Sequence, residues 1–323
     1  MDVIATAGHV DHGKSALVRA LTGMEPDRWA EERRRGLTID LGFAWTTLPS
    51  GRTVAVVDVP GHERFVGNML AGVGSVPAAL LVVAADDGWS AQTAEHVAVL
   101  DALGVRHALL AVAKADLADP EPVLADVRER LTATSLGNVP GIAVSSVTGA
   151  GVPELADRLE ALLAGLPAPD PAAPVRLWLD RAFTVKGAGT VVTGTLAAGT
   201  VTAGDRLRLG DRDVVVRGVQ SLGRAVDAAA ATARVALNLR GIGVDELSRG
   251  DALLTPGAFR DTAEVDVTLT GIAPEGQLPA ESVVHVGAAT VGARLRRLDG
   301  AAVRLRLARP LPLRIGDRLL LRD

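Results

Sequence analysis

An apolar run at residues 3–7 ends in Gly8-His9-Val10-Asp11-His12-Gly13-Lys14-Ser15, and apolar spacing of about 3.6 residues resumes over residues 15–21. This strand–loop–helix order is the setting in which G-x-x-x-x-G-K-[ST] wraps a phosphate. The glycines let successive backbone N–H groups turn inward, and the helix N-terminus adds favourable partial charge. All eight residues from Gly8 to Ser15 are therefore candidate nucleotide contacts. Lys14 is expected to reach the β and γ phosphates, and the Ser15 hydroxyl to ligate Mg²⁺.

The rest of the first half supports that reading. Residues 54–59, 79–84, 108–112 and 142–144 are short apolar runs, and residues 90–103 and 153–163 carry helical spacing. This alternation predicts a parallel sheet covered on both faces. Asp58-Val59-Pro60-Gly61 closes one strand. There Asp58 can hold Mg²⁺ through water, and Gly61 can offer its N–H to a γ-phosphate. Ala113-Lys114-Ala115-Asp116 closes another and resembles the N-K-x-D element of GTPases. Asp116 would accept from the guanine edge while the Lys114 stem lies along the base. Adenine lacks those donors, so the carboxylate selects GTP. Ser145 and Ser146 would face the base from the other side. Ala113 departs from the pattern, because the usual asparagine ties the base loop to the phosphate loop and alanine cannot.

Residues 166–174 (LPAPDPAAP) read as a stiff linker, after which the texture changes. Short alternating runs at 191–196, 206–209, 214–219 and 303–307, punctuated by glycine turns, suggest β-barrels. The expected fold class is thus an α/β P-loop GTPase domain followed by two β-barrel domains. The expected boundaries are 1–166, a linker at 167–174, 175–256 and 257–323, with the break at Thr255-Pro256-Gly257. Net charge is −4, but residues 1–166 carry −8 and residues 167–323 carry +4, pointing the second half towards a polyanion. Only Lys14, Lys114 and Lys186 among the 34 basic residues are lysine, and two of those three fall inside the nucleotide motifs. Lys186, with Gly187 and Gly189, is left between a functional role and a barrel turn. Cysteine is absent, which excludes a disulfide scaffold, a thiolate metal site and a cysteine nucleophile. The N-terminus lacks signal-peptide regions, and no apolar run reaches the roughly 18–20 residues of a bilayer span, so a cytoplasmic protein without membrane contact is expected.

Three motifs together, GHVDHGK, residues 35–40 (RGLTID) and residues 58–65 (DVPGHERF), are similar to translational GTPases. The resemblance implies that Arg35-Gly36-Leu37-Thr38 is the first switch, with Thr38 ligating Mg²⁺ and sensing the γ-phosphate. It implies that His62 is the catalytic residue orienting the attacking water; His96, His107 and His285 are read as ordinary surface or core residues. Residues 37–43 (LTIDLGF), Gly61-His62-Glu63-Arg64-Phe65 with residues 68–72 (NMLAG), and residues 180–189 (DRAFTVKGAG) resemble the bacterial selenocysteine-specific elongation factors. That family normally continues into winged-helix repeats that bind an mRNA hairpin; the expectation is that this chain lacks that arm.

Membership would make the second domain the holder of the aminoacyl end of a tRNA, with Asp180, Arg181 and Arg234 lining the amino-acid pocket. A selenol is more acidic than a thiol, so selenocysteine is an anion at neutral pH while serine is neutral. Two guanidiniums would favour the anion by about 1–3 kcal/mol. The expected function is therefore GTP-dependent delivery of selenocysteinyl-tRNA to the ribosome by a monomer. Alternatives are another tRNA-carrying GTPase such as elongation factor Tu or the gamma subunit of archaeal initiation factor 2, the GTPase subunit of sulfate adenylyltransferase, and a non-hydrolysing scaffold.

Overall fold

The computed structural model describes residues 1–26, 38–62, 65–271 and 278–322. Its first part is a six-stranded sheet formed by β1 (Asp2–Ala7), β2 (Gly42–Thr47), β3 (Thr53–Asp58), β4 (Ala78–Ala84), β5 (His107–Ala113) and β6 (Gly141–Ala143), in the order β2-β3-β1-β4-β5-β6. The helices are α1 (Lys14–Thr22), α2 (Val66–Val73), α3 (Ala91–Ala102), α4 (Glu121–Leu131) and α5 (Val152–Ala164). They bury two cores, one on each face. Ala79, Leu81 and Val83 of β4 point into one, and Ala78, Leu80 and Val82 into the other. A strand buried on both faces must be apolar throughout, which is why β3, β4 and β5 read as unbroken runs.

The sheet is not parallel throughout. Strand β2 runs antiparallel to β3 at the edge, because only the short turn at Leu48–Arg52 joins them. Its sequence, Gly-Phe-Ala-Trp-Thr-Thr, alternates buried and half-buried positions, so it carries no apolar run.

The chain continues as β7 (Arg176–Trp178), β8 (Arg181–Val185), β9 (Gly189–Leu196), β10 (Thr200–Thr202), β11 (Arg206–Leu209), β12 (Arg212–Ser221), β13 (Arg224–Val226), β14 (Ala228–Ala230), β15 (Ala233–Arg240) and β16 (Ala252–Leu254). The main path, β7-β16-β11-β12-β15-β9-β8, starts and ends on neighbouring segments of the chain. Strands β7 and β8 are two halves of one bent strand. Leu179 N–H donates to Asp251 on the β16 side, and Asp180 N–H donates to the Thr193 carbonyl on β9 at 3.0 Å, so the sheet closes on itself. Gly194 makes this possible: a Cβ there would lie 2.5 Å from the Trp178 carbonyl oxygen. Asp180 therefore sits at the bend where the strand changes partner.

The last part is an antiparallel sheet of β17 (Thr262–Thr268), β18 (Glu281–Val286), β19 (Ala289–Asp299), β20 (Ala302–Leu311) and β21 (Leu320–Arg322), in the order β17-β20-β19-β18-β21. Its core takes in Trp178 and Leu254 from the barrel. The three parts meet at Gly287, where a Cβ would lie 2.2 Å from the Trp178 ring and whose carbonyl oxygen lies 3.0 Å from a Cβ built on Gly74 at the end of α2. Arg176 grips Asp317 with two bonds of 2.6 Å, tying barrel to final sheet. Among the described residues no helix is long and apolar enough to cross a membrane.

Candidate functional site

The loop after β1 is shaped by backbone that only particular residues tolerate. Gly8 has φ +130°, and a Cβ there would lie 2.1 Å from the Val82 carbonyl oxygen of β4. Gly13, with φ +84°, precedes α1 without any side-chain cap, so the first-turn N–H groups face the loop. Gly61 completes the cradle. A Cβ there would stand 2.4 Å from Lys14 Nζ and 2.5 Å from the Val10 nitrogen. Lys14 is buried and donates to the His9 carbonyl at 2.7 Å. Asp11 holds a left-handed backbone of φ +64°.

Three side-chain oxygens converge beside this loop. Ser15 Oγ donates to Asp58 Oδ2 at 2.6 Å and lies 2.9 Å from Thr38 Oγ1. Asp58 is wholly buried, and Thr6 donates to its other oxygen at 2.7 Å. Burial pushes the Asp58 carboxyl above the usual carboxylate range, against the hydrogen bonds of Ser15 and Thr6 and the Lys14 charge. Two hydroxyls and one buried, incompletely compensated carboxylate form a hard oxygen donor set that suits Mg²⁺. Among the described residues no cluster of three His, Asp or Glu side chains offers a metal site. An ion here would therefore complete its shell with phosphate oxygens and water. His9 Nδ1 and His12 Nδ1 are buried without a hydrogen-bond partner among the described residues, in a loop otherwise closed around open donors.

Two histidines brace the loop. His12, 1% exposed, meets Asp87 Oδ2 through Nε2 at 2.9 Å, and burial lowers its pKa. His96 on α3 accepts from the Gly8 N–H at 2.9 Å through Nδ1. Burial, with Lys14 and His9 nearby, lowers its pKa to about 3, so it is neutral and its tautomer carries the proton on Nε2. The sequence implies an ordinary surface or core residue at His96; it is buried, and its ring also meets the phosphate loop. Its position on α3 gives no sign of an 88-residue contact.

The expected base-binding residues lie at the ends of β5 and β6. Lys114 has φ +58° and reaches Asp86 at 3.2 Å, while Asp116 is exposed. Ser145 is buried, accepting from the Val147 and Thr148 N–H groups at 3.3 and 3.1 Å, and Ser146 is half-buried beside it. The two loops are joined by the Ala115 N–H, which donates to the Val144 carbonyl at 3.1 Å. Ala113 Cβ lies 3.9 Å from a Cβ built on Gly13, so position 113 does face the phosphate loop. His62 follows Gly61, half-buried, with its ring 6.0 Å from that of Phe65. Arg35, Gly36 and Leu37 of the expected first switch, and Glu63 and Arg64 of the second, lie outside the described residues.

Residues 1–165 match the family described as the elongation factor Tu GTP binding domain, and residues 189–254 match elongation factor Tu domain 2. The chain belongs to the elongation factor Tu family. Within that family it is 40% identical, over 99% of its length, to the selenocysteine-specific elongation factor of Desulfomicrobium baculatum, and spans 53% of that protein. It superposes on the crystal structure of a bacterial selenocysteine-specific elongation factor with TM-score 0.93 at 33% identity, over 100% of this chain and 56% of the other. Against translation elongation factor SelB from Methanococcus maripaludis, solved in complex with a GTP analogue, the TM-score is 0.86 at 25% identity, over 99% of this chain and 74% of the other. The chain thus spans about half the length of the bacterial selenocysteine-specific factors it matches.

The second expected site lies where this family's GTP-binding domain meets the barrel. Asp180 and Arg234 form an ion pair, 4% and 12% exposed, and Thr193 Oγ1 donates to Asp180 at 2.5 Å. Burial pushes the Asp180 carboxyl up. The Arg234 charge, the hydrogen bonds from Arg234 and Thr193, and the Arg181 charge outweigh it and hold the group below its ordinary range. Arg181 donates to the Leu41 carbonyl and lies 2.9 Å from Asp40 Oδ2. Both guanidiniums stack on Phe43 of β2, at 4.9 Å for Arg181 and 4.0 Å for Arg234. A cavity of about 230 Å³ opens alongside, lined by Phe43, Trp45, Phe183, Thr193 and Arg234 among others. The three residues do meet. Each of these two arginines, however, already faces a carboxylate, Arg234 that of Asp180 and Arg181 that of Asp40. Lys186 is exposed in the turn between β8 and β9 and joins neither site.

Proposed function

We propose that the chain is the GTP-driven part of a translation factor that carries selenocysteinyl-tRNA to the ribosome. In this reading residues 1–166, 175–256 and 257–323 act as three units around a linker at 167–174, and the protein works in the cytoplasm. The observation that carries it is the arrangement just described: the Asp180–Arg234 pair and Arg181 lie against the segment that begins at Thr38. A ligand-gated switch and an arginine pair thereby share one interface.

GTP would lie with its phosphates against the N–H groups of Gly8 to Ser15 and against Lys14, and with its base against Asp116, Lys114, Ser145 and Ser146. Ser15 and Thr38, with Asp58 acting through water, would hold Mg²⁺, which neutralises charge building on the β and γ phosphates. The Gly61 N–H would bind the γ-phosphate and keep the second switch closed. His62 would orient the attacking water once the ribosome pushes it into place. The oxygen of that water would attack the γ-phosphorus as the bond from this phosphorus to the β,γ-bridging oxygen breaks; GDP keeps the bridging oxygen with its electron pair, and the proton of the water leaves on the inorganic phosphate. Thr38 and Gly61 then lose their partner and the barrel releases the tRNA.

Asp180 would hold Arg234 at the aminoacyl end, where the guanidiniums favour a selenolate over the neutral serine hydroxyl. The test is protection of the aminoacyl ester by the GTP-bound protein, with selenocysteinyl-tRNA compared with seryl-tRNA on the same tRNA body. Protection of the first alone is expected. Equal protection would remove the anion pocket, and protection of neither would remove the carrier function. His62→Ala is expected to keep GTP affinity and lose about 100-fold or more of ribosome-stimulated turnover; normal turnover would sink the role given to His62.

A further inference from the structure

Asp40 is held from two directions by the barrel. Arg181 at the start of β8 lies 2.9 Å from Asp40 Oδ2, and Arg249, in the turn before β16, lies 3.7 Å from Asp40 Oδ1. Arg249 also donates to Asn68 Oδ1 on α2 at 2.6 Å, and Asn68 Nδ2 donates to the Ile39 carbonyl at 2.7 Å. Arg181 in turn donates to the Leu41 carbonyl. Two separate elements of the GTP-binding domain, residues 38–41 and α2, are thus fastened to two barrel arginines in one network. The network is sheltered, with the Arg181 and Asp40 side chains 14% and 25% exposed.

Its ends are chemically distinct. At one end, two residues before Asp40, Thr38 touches Ser15 in the phosphate site. At the other end Arg181 follows Asp180 and shares the Phe43 ring with Arg234. A charge-assisted hydrogen bond needs heavy atoms within about 2.7–3.2 Å and a near-linear angle; beyond that only the Coulomb attraction remains, falling as 1/r. A shift of Asp40 by little more than 1 Å would therefore break its hydrogen bond to Arg181, whose remaining ties to the Leu41 carbonyl and the Phe43 ring would then set its angle to Asp180 or a ligand.

We propose that Asp40 is a positioning residue that couples the nucleotide-dependent placement of Thr38 to the orientation of Arg181, and so sets whether the barrel offers that guanidinium to an anionic aminoacyl group. The ligand rests on the function proposed above. The coupling itself rests only on the network. Arg249 is the second tie, since it forms an ion pair with Asp40 and a hydrogen bond with the α2 residue that holds Ile39.

The experiment compares the full chain bearing a non-hydrolysable GTP analogue with the same chain bearing GDP, in wild type, Asp40→Asn, Asp40→Glu and Arg249→Met. Hydrogen exchange over residues 179–185 reads the coupling without any tRNA. Wild type should show exchange rates there that differ at least about fivefold between the two nucleotides. Asp40→Asn should bring that difference below about twofold, Asp40→Glu should restore part of it, and Arg249→Met should fall between. All variants should bind a fluorescent GDP analogue within about threefold of wild type, because none of the substituted groups belongs to the nucleotide cradle. In the ester-protection assay, Asp40→Asn should lower the preference of selenocysteinyl-tRNA for the GTP-analogue form over the GDP form at least about tenfold. Wild-type exchange that ignores the nucleotide, or an Asp40→Asn protein that responds as wild type does, overturns the proposal. Normal coupling without any protection of selenocysteinyl-tRNA overturns the function proposed above and leaves the role of Asp40 standing.

Discussion

The phosphate site and the arginine site are joined by residues 38–43 and are built on opposite principles. The phosphate site is made of backbone: Gly8 and Gly61 sit where a Cβ would clash, Gly13 holds a left-handed φ of +84° that favours glycine, and the donors they expose need no side chain. Such a site is preorganised, since its shape is fixed before a ligand arrives. The arginine site is made of long side chains from two domains, each charge answered by a neighbour, Arg234 by Asp180 and Arg181 by Asp40. Its electrostatics can be rearranged by moving one partner. The shape of the first architecture is set by the backbone, whereas the second can change what it offers.

The contrast can be broken most sharply at Gly8. Gly8→Ala places a carbon 2.1 Å from a backbone oxygen at φ +130°, so nucleotide affinity should fall by about 100-fold or more. Displacement of a fluorescent GDP analogue measures it, and a loss under tenfold would show that the cradle adapts. Next comes Asp180→Ala, which leaves Arg234 buried and unpaired and should cost about 3–5 kcal/mol in thermal or urea unfolding. Because the native carboxyl of Asp180 is held below its ordinary range, its contribution is present above about pH 4 and is lost as pH falls through the native value. Asp180→Asn should therefore flatten the acid limb of the stability profile.

A smaller effect tests the brace behind the phosphate loop. His96 titrates at about 3 when folded against 6.5 ordinarily, so the unfolded chain binds the extra proton between those values and stability must rise with pH across that window. At pH 5 the cost relative to neutral pH should be about 2 kcal/mol. His96→Gln, which can still accept from Gly8, should remove that slope; an unchanged slope would place the titration elsewhere. The smallest expected effect is at position 113. Ala113→Asn restores an amide beside Gly13 and should tighten nucleotide binding by about 1 kcal/mol, several-fold in dissociation constant. No change would mean that the link between Ala115 and Val144 already fixes the base loop.

The strands at 54–59, 79–84 and 108–112 were legible because they are buried on both faces. Strand β2 and helices α2 and α4 were not, since β2 alternates at a sheet edge and α4, Glu-Pro-Val-Leu-Ala-Asp-Val-Arg-Glu-Arg-Leu, is charged at five of its eleven positions. Within the candidate site, Ser15, Thr38 and Asp58 came from separate motifs, and the fold brings their oxygens within hydrogen-bond reach. The link between His96 and Gly8 left no trace in either local sequence, because a lone histidine on a helix reads the same whether its ring meets core or loop.

The sequence by itself determined the phosphate loop, the buried strands that flank it and the change to β structure after the proline-rich linker. Each of these depends on residues adjacent in the chain: glycine conformations, apolar periods and turn chemistry. Only the tertiary structure decided that β7 and β8 bend to close the barrel, that Gly194 lets them cross, and that Arg181 faces Asp40 from 141 residues away. The physical reason is range. Backbone preference acts over a few residues and is written locally, whereas a charge pairs with whatever the closed fold brings within about 4 Å of it.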